Sequence, residues 1–166
     1  MRLGYIQGVP QKLYCSGTKS CKDITPVLGP LSLKCYGDSA CAGMKFGASW
    51  KISCTKSDTC KDITWTKKGG GTFTCTGDGT CSNSRLICVD KPCKLICEGR
   101  HACENVVLSG KGWDNTVATT TCKGIKACRF AQLPRVADCI GEEACYGAKI
   151  GSLYGASPNP SPNPNP

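Results

Sequence analysis

The chain has a single histidine among 166 residues, and aromatic side chains make up only 7% of it. So few rings argue against a base-stacking platform for nucleic acid. Zinc sites usually set cysteines two to four residues apart with histidine as partner, and His101 has no second histidine to join it. No phosphate-binding glycine loop and no Ser-His-Asp pattern is present. No Asn-x-Ser/Thr acceptor occurs, since Pro160 blocks the triplet that starts at Asn159. No run of apolar residues approaches the roughly 20 that a membrane span requires. "MRLGYIQGVP" lacks the apolar core of a secretory leader. The expectation is a mature secreted chain or a fragment without its leader, with Met1 an ordinary residue.

Cysteine is what the chain has in abundance, 16 in all, an even count with no Cys-x-x-Cys pair. That usage belongs to an oxidising, extracellular-type compartment. Twenty-one Lys and Arg against 12 Asp and Glu give a net charge of +9. The lysines are scattered along the chain, as on a solvated charged surface.

"CKDIT" occurs twice, starting at Cys21 and again at Cys60. Alignment on cysteine explains the echo. Seven copies of Cys-x5-Cys begin at Cys15, Cys35, Cys54, Cys75, Cys97, Cys122 and Cys139, in steps of 20, 19, 21, 22, 25 and 17 residues. Two residues after the first cysteine stands glycine in every copy except the third, which has Lys56. Glycine at a fixed offset marks a turn with positive φ or a close backbone approach. The residue before the second cysteine is always small, and two after it comes Asp, Asn or Gly in every copy but that of Phe130. Apolar residues recur two before the first cysteine (Leu13, Leu33, Ile52, Phe73, Leu95). They recur again three and five after the second, as at Ile63 and Trp65. Alternation at period two denotes short half-buried strands.

A unit of about 20 residues cannot bury its own apolar side, but a stack of such units can. The predicted fold is all-β, a disulfide-stapled parallel β-solenoid of about seven coils. At about 4.8 Å per coil its axis would be about 34 Å long. The chain divides into an N-terminal arm (1–12), the solenoid (13–152) and a Pro-rich tail (153–166), expected to be polyproline II.

Stacked positions lie within the Cα range of a disulfide, so bridges up a column are geometrically possible. Parity disfavours them, because each column holds seven cysteines. Pairing within coils leaves none over. The expected bridges are Cys15–Cys21, Cys35–Cys41, Cys54–Cys60, Cys75–Cys81, Cys97–Cys103, Cys122–Cys128 and Cys139–Cys145. Cys88–Cys93 lies in an insertion of the fourth coil. Each closes a small loop, worth roughly 2–2.5 kcal/mol in the chain-entropy account.

Wide β-helices can carry glycan-cleaving sites. The residues available for one are Asp23, Asp62, Arg100, Glu142 and Glu143, and none forms a paired-carboxylate signature. The aspartates stand where a turn wants them, and His101 sits in a turn. No catalytic residue, metal ligand or cofactor is assigned, and the chain is expected not to be an enzyme.

"SPNPSPNPNP" resembles the Ser-Pro/X-Pro tracts of hydroxyproline-rich glycoproteins of algal and plant extracellular matrices. The resemblance implies hydroxylation and O-linked sugars on Pro158, Pro160, Pro162, Pro164, Pro166, Ser157 or Ser161. The Cys-x-Gly-x-x-small-Cys coils resemble Cys-rich solenoid repeats of secreted algal and protist proteins, with mastigoneme-like fibres as a setting. With no helical cap evident at either end, head-to-tail joining of copies of this chain would grow a filament. The functional expectation is therefore a secreted structural subunit of an O-glycosylated extracellular filament. A monomeric module that binds polysaccharide or ice is the alternative. Ice binding would need a flat column of threonine, and Thr25, Thr64 and Thr66 do not recur in every coil.

Overall fold

In the computed structural model, residues 11–25, 31–47, 51–111, 119–133 and 136–151 are described. Each coil begins with a strand whose inward residues are an apolar or small residue and the first cysteine. These strands are β1 (Gln11–Cys15), β2 (Leu31–Cys35), β4 (Lys51–Thr55), β6 (Gly71–Thr76), β8 (Cys93–Glu98), β10 (Thr119–Lys123) and β12 (Val136–Ile140). They stack in that order into a seven-stranded parallel sheet. After each comes an arc across the cysteine pair, and from the second coil onward a second strand. The second strands are β3 (Lys45–Gly47), β5 (Thr64–Lys68), β7 (Arg85–Val89), β9 (Val107–Lys111), β11 (Gln132–Leu133) and β13 (Lys149–Ile150). These form a six-stranded parallel sheet. The described residues contain no helix. The chain is an all-β parallel solenoid that makes six steps between seven stacked coils.

Register is uniform from coil to coil. Cys35 pairs with Cys15 and Cys54, and Cys97 with Cys75 and Cys122. The column two residues earlier runs Leu13, Leu33, Ile52, Phe73, Leu95, Thr120 and Ala137. A one-residue slip would turn every such column out to solvent, so the alternation fixes the pairing. Near the middle of the stack Trp65 meets Phe73 with ring centroids 5.4 Å apart. Sequence places Ile24, Met44, Ile63, Ser84, Val106, Ala131 and Ala148 along the far wall. Met44, Ile63, Ser84, Val106 and Ala131 are buried there. Ser84 fits because its hydroxyl donates to the Cys60 carbonyl (3.0 Å) and accepts from the Ile63 amide (3.3 Å).

The arcs carry unusual backbone. In every coil the second cysteine has φ between 54° and 58°. The residues two before and two after it are left-handed too, as with Lys19 and Asp23, or His101 and Asn105. Non-glycine residues in this region cost roughly 1–2 kcal/mol each. The cost is offset by hydrogen bonds that the alternation makes possible. Amide and carbonyl groups of the arc point up and down the stack, so the arcs form a ladder of their own. The Lys19 amide donates to the Asp38 carbonyl (2.9 Å), and the Asp23 amide to Ala42 (2.9 Å). The Cys41 amide donates back to Ser20 (2.8 Å). The same three bonds recur at each of the six steps.

The disulfides hold the arcs in this shape. Sulfurs pair Cys15–Cys21, Cys35–Cys41, Cys54–Cys60, Cys75–Cys81, Cys97–Cys103, Cys122–Cys128 and Cys139–Cys145, each across its own arc. Cys88–Cys93 instead spans a different corner, from β7 of the fourth coil to β8 of the fifth. No described cysteine is free. A narrow solenoid buries little apolar side chain per residue, and these bridges substitute for the missing core.

The glycine column sits where arcs touch backbone to backbone. Gly99 has φ of +133°, and a Cβ built there would lie 2.6 Å from the Gly77 carbonyl oxygen. Lys56 occupies the same column with φ of 96°.

Candidate functional site

The residues weighed for catalysis do not converge. Asp23 and Asp62 occupy the same arc position two coils apart, about 10 Å along the axis, and both have left-handed backbone, φ 54° and 57°. Arg100 belongs to the fifth coil, whereas Glu142 and Glu143 belong to the seventh. His101 is a turn residue with a partner: its Nδ1 lies 2.8 Å from Glu104 Oε2.

Glu104 and Arg129 are the polar pair that sequence reading passed over. Arg129 Nε donates to Glu104 Oε1 (2.9 Å) across one coil step, 25 residues apart in sequence. Partial burial opposes ionisation of Glu104. The hydrogen bonds from Arg129 and His101 outweigh it and hold the carboxyl below its ordinary value. Both side chains of the ion pair are largely covered. The cluster therefore acts as a tie between the fifth and sixth coils. Lys67, on the inward side of β5, is buried, and desolvation lowers its pKa. It stands beside Cys88 in the pairing of β5 with β7.

Sulfur atoms of Cys15, Cys35 and Cys41, and of Cys35, Cys54 and Cys60, gather within 4.8 Å of one another. All of them are bonded in disulfides, so none offers the thiolate that a metal would need. Pro158, Pro160, Pro162, Pro164, Pro166, Ser157 and Ser161 lie outside the described residues, as do the whole of the tail and most of the N-terminal arm. Among the described residues no helix is long and apolar enough to cross a membrane. Eight disulfides mark an oxidising environment.

The first and last coils present the largest set of unused groups. Within the stack, every arc receives bonds from the coil before it and the coil after it. Among the described residues, the amides of Glu143 and Gly147 have no backbone acceptor, and the Ala144 carbonyl has no backbone donor. At the other end, the amide of Cys21 and the carbonyls of Thr18 and Lys22 are likewise without backbone partners. The core columns also open at these ends: Leu13, Cys21 and Ile24 are half-buried in the first coil, as are Ala137, Cys145 and Ile150 in the seventh. Charge differs between the two. The first coil carries Lys12, Lys19 and Lys22 against Asp23, and the seventh carries Asp138, Glu142 and Glu143 against Lys149.

The lateral faces differ too. The outer side of the seven-stranded sheet bears Ser32, Ser53, Thr55, Thr72, Thr74, Thr76, Thr119 and Thr121. Threonine thus gathers beside the first cysteine, away from Thr25, Thr64 and Thr66. Lysines interrupt these hydroxyl columns. Comparison of the chain with protein-family models, curated proteins and solved structures finds no match.

Proposed function

We propose that this chain is a secreted structural subunit that polymerises head-to-tail, through its first and seventh coils, into an extracellular O-glycosylated filament. The observation that carries this reading is the match between the two ends. Continuing the internal bonding pattern, the Glu143 amide would donate to Thr18 of the next copy, and Gly147 to Lys22. The Cys21 amide would donate back to Ala144. Glu143 would come over Lys19 in the column where Glu143 already pairs with Lys126 at 3.7 Å. Acidic end meets basic end, which favours unlike joining and therefore open growth. The Pro-rich tract supplies the candidate O-glycan acceptors, and mass spectrometry of the 157–166 peptide from native protein checks them. An unmodified peptide removes the glycan from this function.

Gly17 provides a test of the stacking itself. A Cβ at Gly17 meets nothing within 4 Å, whereas one at Gly141 comes within 2.9 Å of the Gly124 oxygen. If the seventh coil of another copy stacks below the first, Gly17 receives the same close approach. Electron microscopy and sedimentation of the wild-type chain should show filaments with an axial repeat of about 34 Å per subunit. Gly17→Ala should stay monomeric, with unfolding changed only by the backbone strain at one terminal coil. Monodisperse wild-type protein at high concentration, or Gly17→Ala filaments indistinguishable from wild type, would overturn the proposal.

A further inference from the structure

The lateral face of the seven-stranded sheet is not consumed by end-to-end stacking, and its chemistry points elsewhere. Alternation along each strand leaves two or three outward positions per coil. The first outward column runs Lys12, Ser32, Lys51, Thr72, Lys94 and Thr119. Lysine therefore recurs on alternate coils, about 9.6 Å apart. The second column runs Tyr14, Lys34, Ser53, Thr74, Ile96, Thr121 and Asp138, and the next adds Glu98 and Lys123. The face thus presents five lysines against two carboxylates, with hydroxyls filling the intervals. Lys12, Lys51, Lys94 and Lys123 are exposed. Tyr14 is 53% exposed, with Lys34 Nζ 5.8 Å from its ring centroid.

We propose that this face binds a linear anionic polysaccharide, bearing carboxylate or sulfate groups, laid along the solenoid axis. The net positive charge admits an anion, as does that of the outer side of the six-stranded sheet (Lys45, Lys68, Arg85, Lys149). The fuller hydroxyl columns between the lysines single out this face, and a parallel sheet about 29 Å long selects an extended polymer over a small ion. The lysine interval suits a polymer charged on alternate residues, each residue advancing by about one strand spacing. Each strand of a nucleic-acid duplex carries a charge every 3.4 Å or so along the axis, roughly three times as dense as this column. Ice would require the hydroxyl columns without ammonium groups between them. Hydroxyls of Thr72, Thr74, Thr119 and Thr121 would then meet sugar hydroxyls between the charged points.

Titration of the folded chain with hyaluronate, whose carboxylates stand on every second sugar, keratan sulfate, neutral dextran and oligothymidylate tests this. Either anionic glycan should bind, with affinity falling as salt rises, while neutral dextran should not. Lys51→Ala/Lys94→Ala should weaken binding about tenfold and flatten the salt slope by about one to two. Lys45→Ala/Lys149→Ala removes the same charge from the outer side of the six-stranded sheet and should leave affinity within about twofold of wild type. Lys51→Gln/Lys94→Gln should match the alanine pair, and melting curves confirm that each variant is folded. Equal losses in the two alanine pairs would overturn the proposal by showing general charge attraction. Oligothymidylate binding as tightly as hyaluronate, or no binding of either anionic glycan, would also overturn it. Titrations on Gly17→Ala monomers keep this outcome separate from the fate of the filament reading.

Discussion

Replacing Gly99 by alanine should destabilise the solenoid by about 2–3 kcal/mol. Two costs combine. At φ of +133° Gly99 lies far from the left-handed well near +57° that side-chain-bearing residues visit, and holding alanine there costs about 1–3 kcal/mol. The new Cβ would also stand 2.6 Å from the Gly77 oxygen, where ordinary contact begins at 3.4 Å. Relieving that overlap means parting the two arcs by about 0.8 Å, which would stretch the bond from the Gly77 amide to the Glu98 carbonyl, now 2.8 Å, out of range. A lost backbone bond adds roughly 0.5–1.5 kcal/mol. Against this, alanine restricts the unfolded chain and returns about 0.4–1 kcal/mol.

Lys56 supplies the converse experiment, because it carries a side chain in the same column at φ of 96°. Lys56→Gly relieves the backbone strain, about 1–3 kcal/mol, and costs about 0.5–1 kcal/mol in chain entropy. It should therefore stabilise by about 1 kcal/mol. Guanidinium unfolding with disulfides intact, followed by tryptophan fluorescence to which buried Trp65 contributes, reads both variants. Gly99→Ala within about 0.5 kcal/mol of wild type, together with a destabilised Lys56→Gly, would refute the claim that this column is a backbone-to-backbone contact.

Three further outcomes follow from the core and the arcs. Thr120 is 1% exposed, and its hydroxyl has no hydrogen-bond partner among the described residues. Thr120→Val should raise stability by about 1 kcal/mol in the same unfolding assay. Glu104 has a depressed pKa, so its contribution is present above the unfolded value of 4.5 and lost as pH falls through the folded value. Glu104→Gln should flatten the loss of stability below about pH 4.5; an unchanged acid profile means the pair with Arg129 contributes nothing. Converting Cys88 and Cys93 together to alanine should cost about 2 kcal/mol and speed hydrogen exchange at the corner between β7 and β8, with exchange in the first two coils unaffected.

The sheet that carries the first cysteines was legible because each coil restarts its alternation at a cysteine. A reader can therefore lay Leu13 over Leu33 and Ile52 without knowing the turns between. The arcs were legible only in part. Gly99 and Asn105 signal positive φ by their residue type, but Cys103 and His101 adopt it too, and neither advertises it. Left-handed cysteine has no compositional signature, since tethering to Cys97 and the ladder bonds impose it. The tie between Glu104 and Arg129 was hidden for another reason. Its column also holds Lys22, Ala42, Lys61, Ser82 and Tyr146, which share no chemistry, so nothing marks the two members that meet. The threonines beside the first cysteine were visible as letters. Their common face emerged only when registry placed Thr74 over Ser53.

End-to-end growth differs from ordinary edge aggregation in what it asks of the chain. An exposed strand edge accepts many partners, which is why edges are usually blunted by charge or by a cover. Here each internal step already repeats three arc bonds and a run of strand bonds. A step between copies would be one more of the same kind, with no new surface to design. Charge then sets polarity. Joining two seventh coils would bring Glu142 and Glu143 against their own copies, and joining two first coils would oppose Lys19 and Lys22. Either like pairing would also run the strands antiparallel, against a bonding pattern that is parallel throughout. Substitutions divide accordingly. A change at Gly99 loosens a step inside the chain and lowers stability whether or not copies join. A change at Gly17 acts on the step between copies, so assembly and folding can be separated by two glycines in one column.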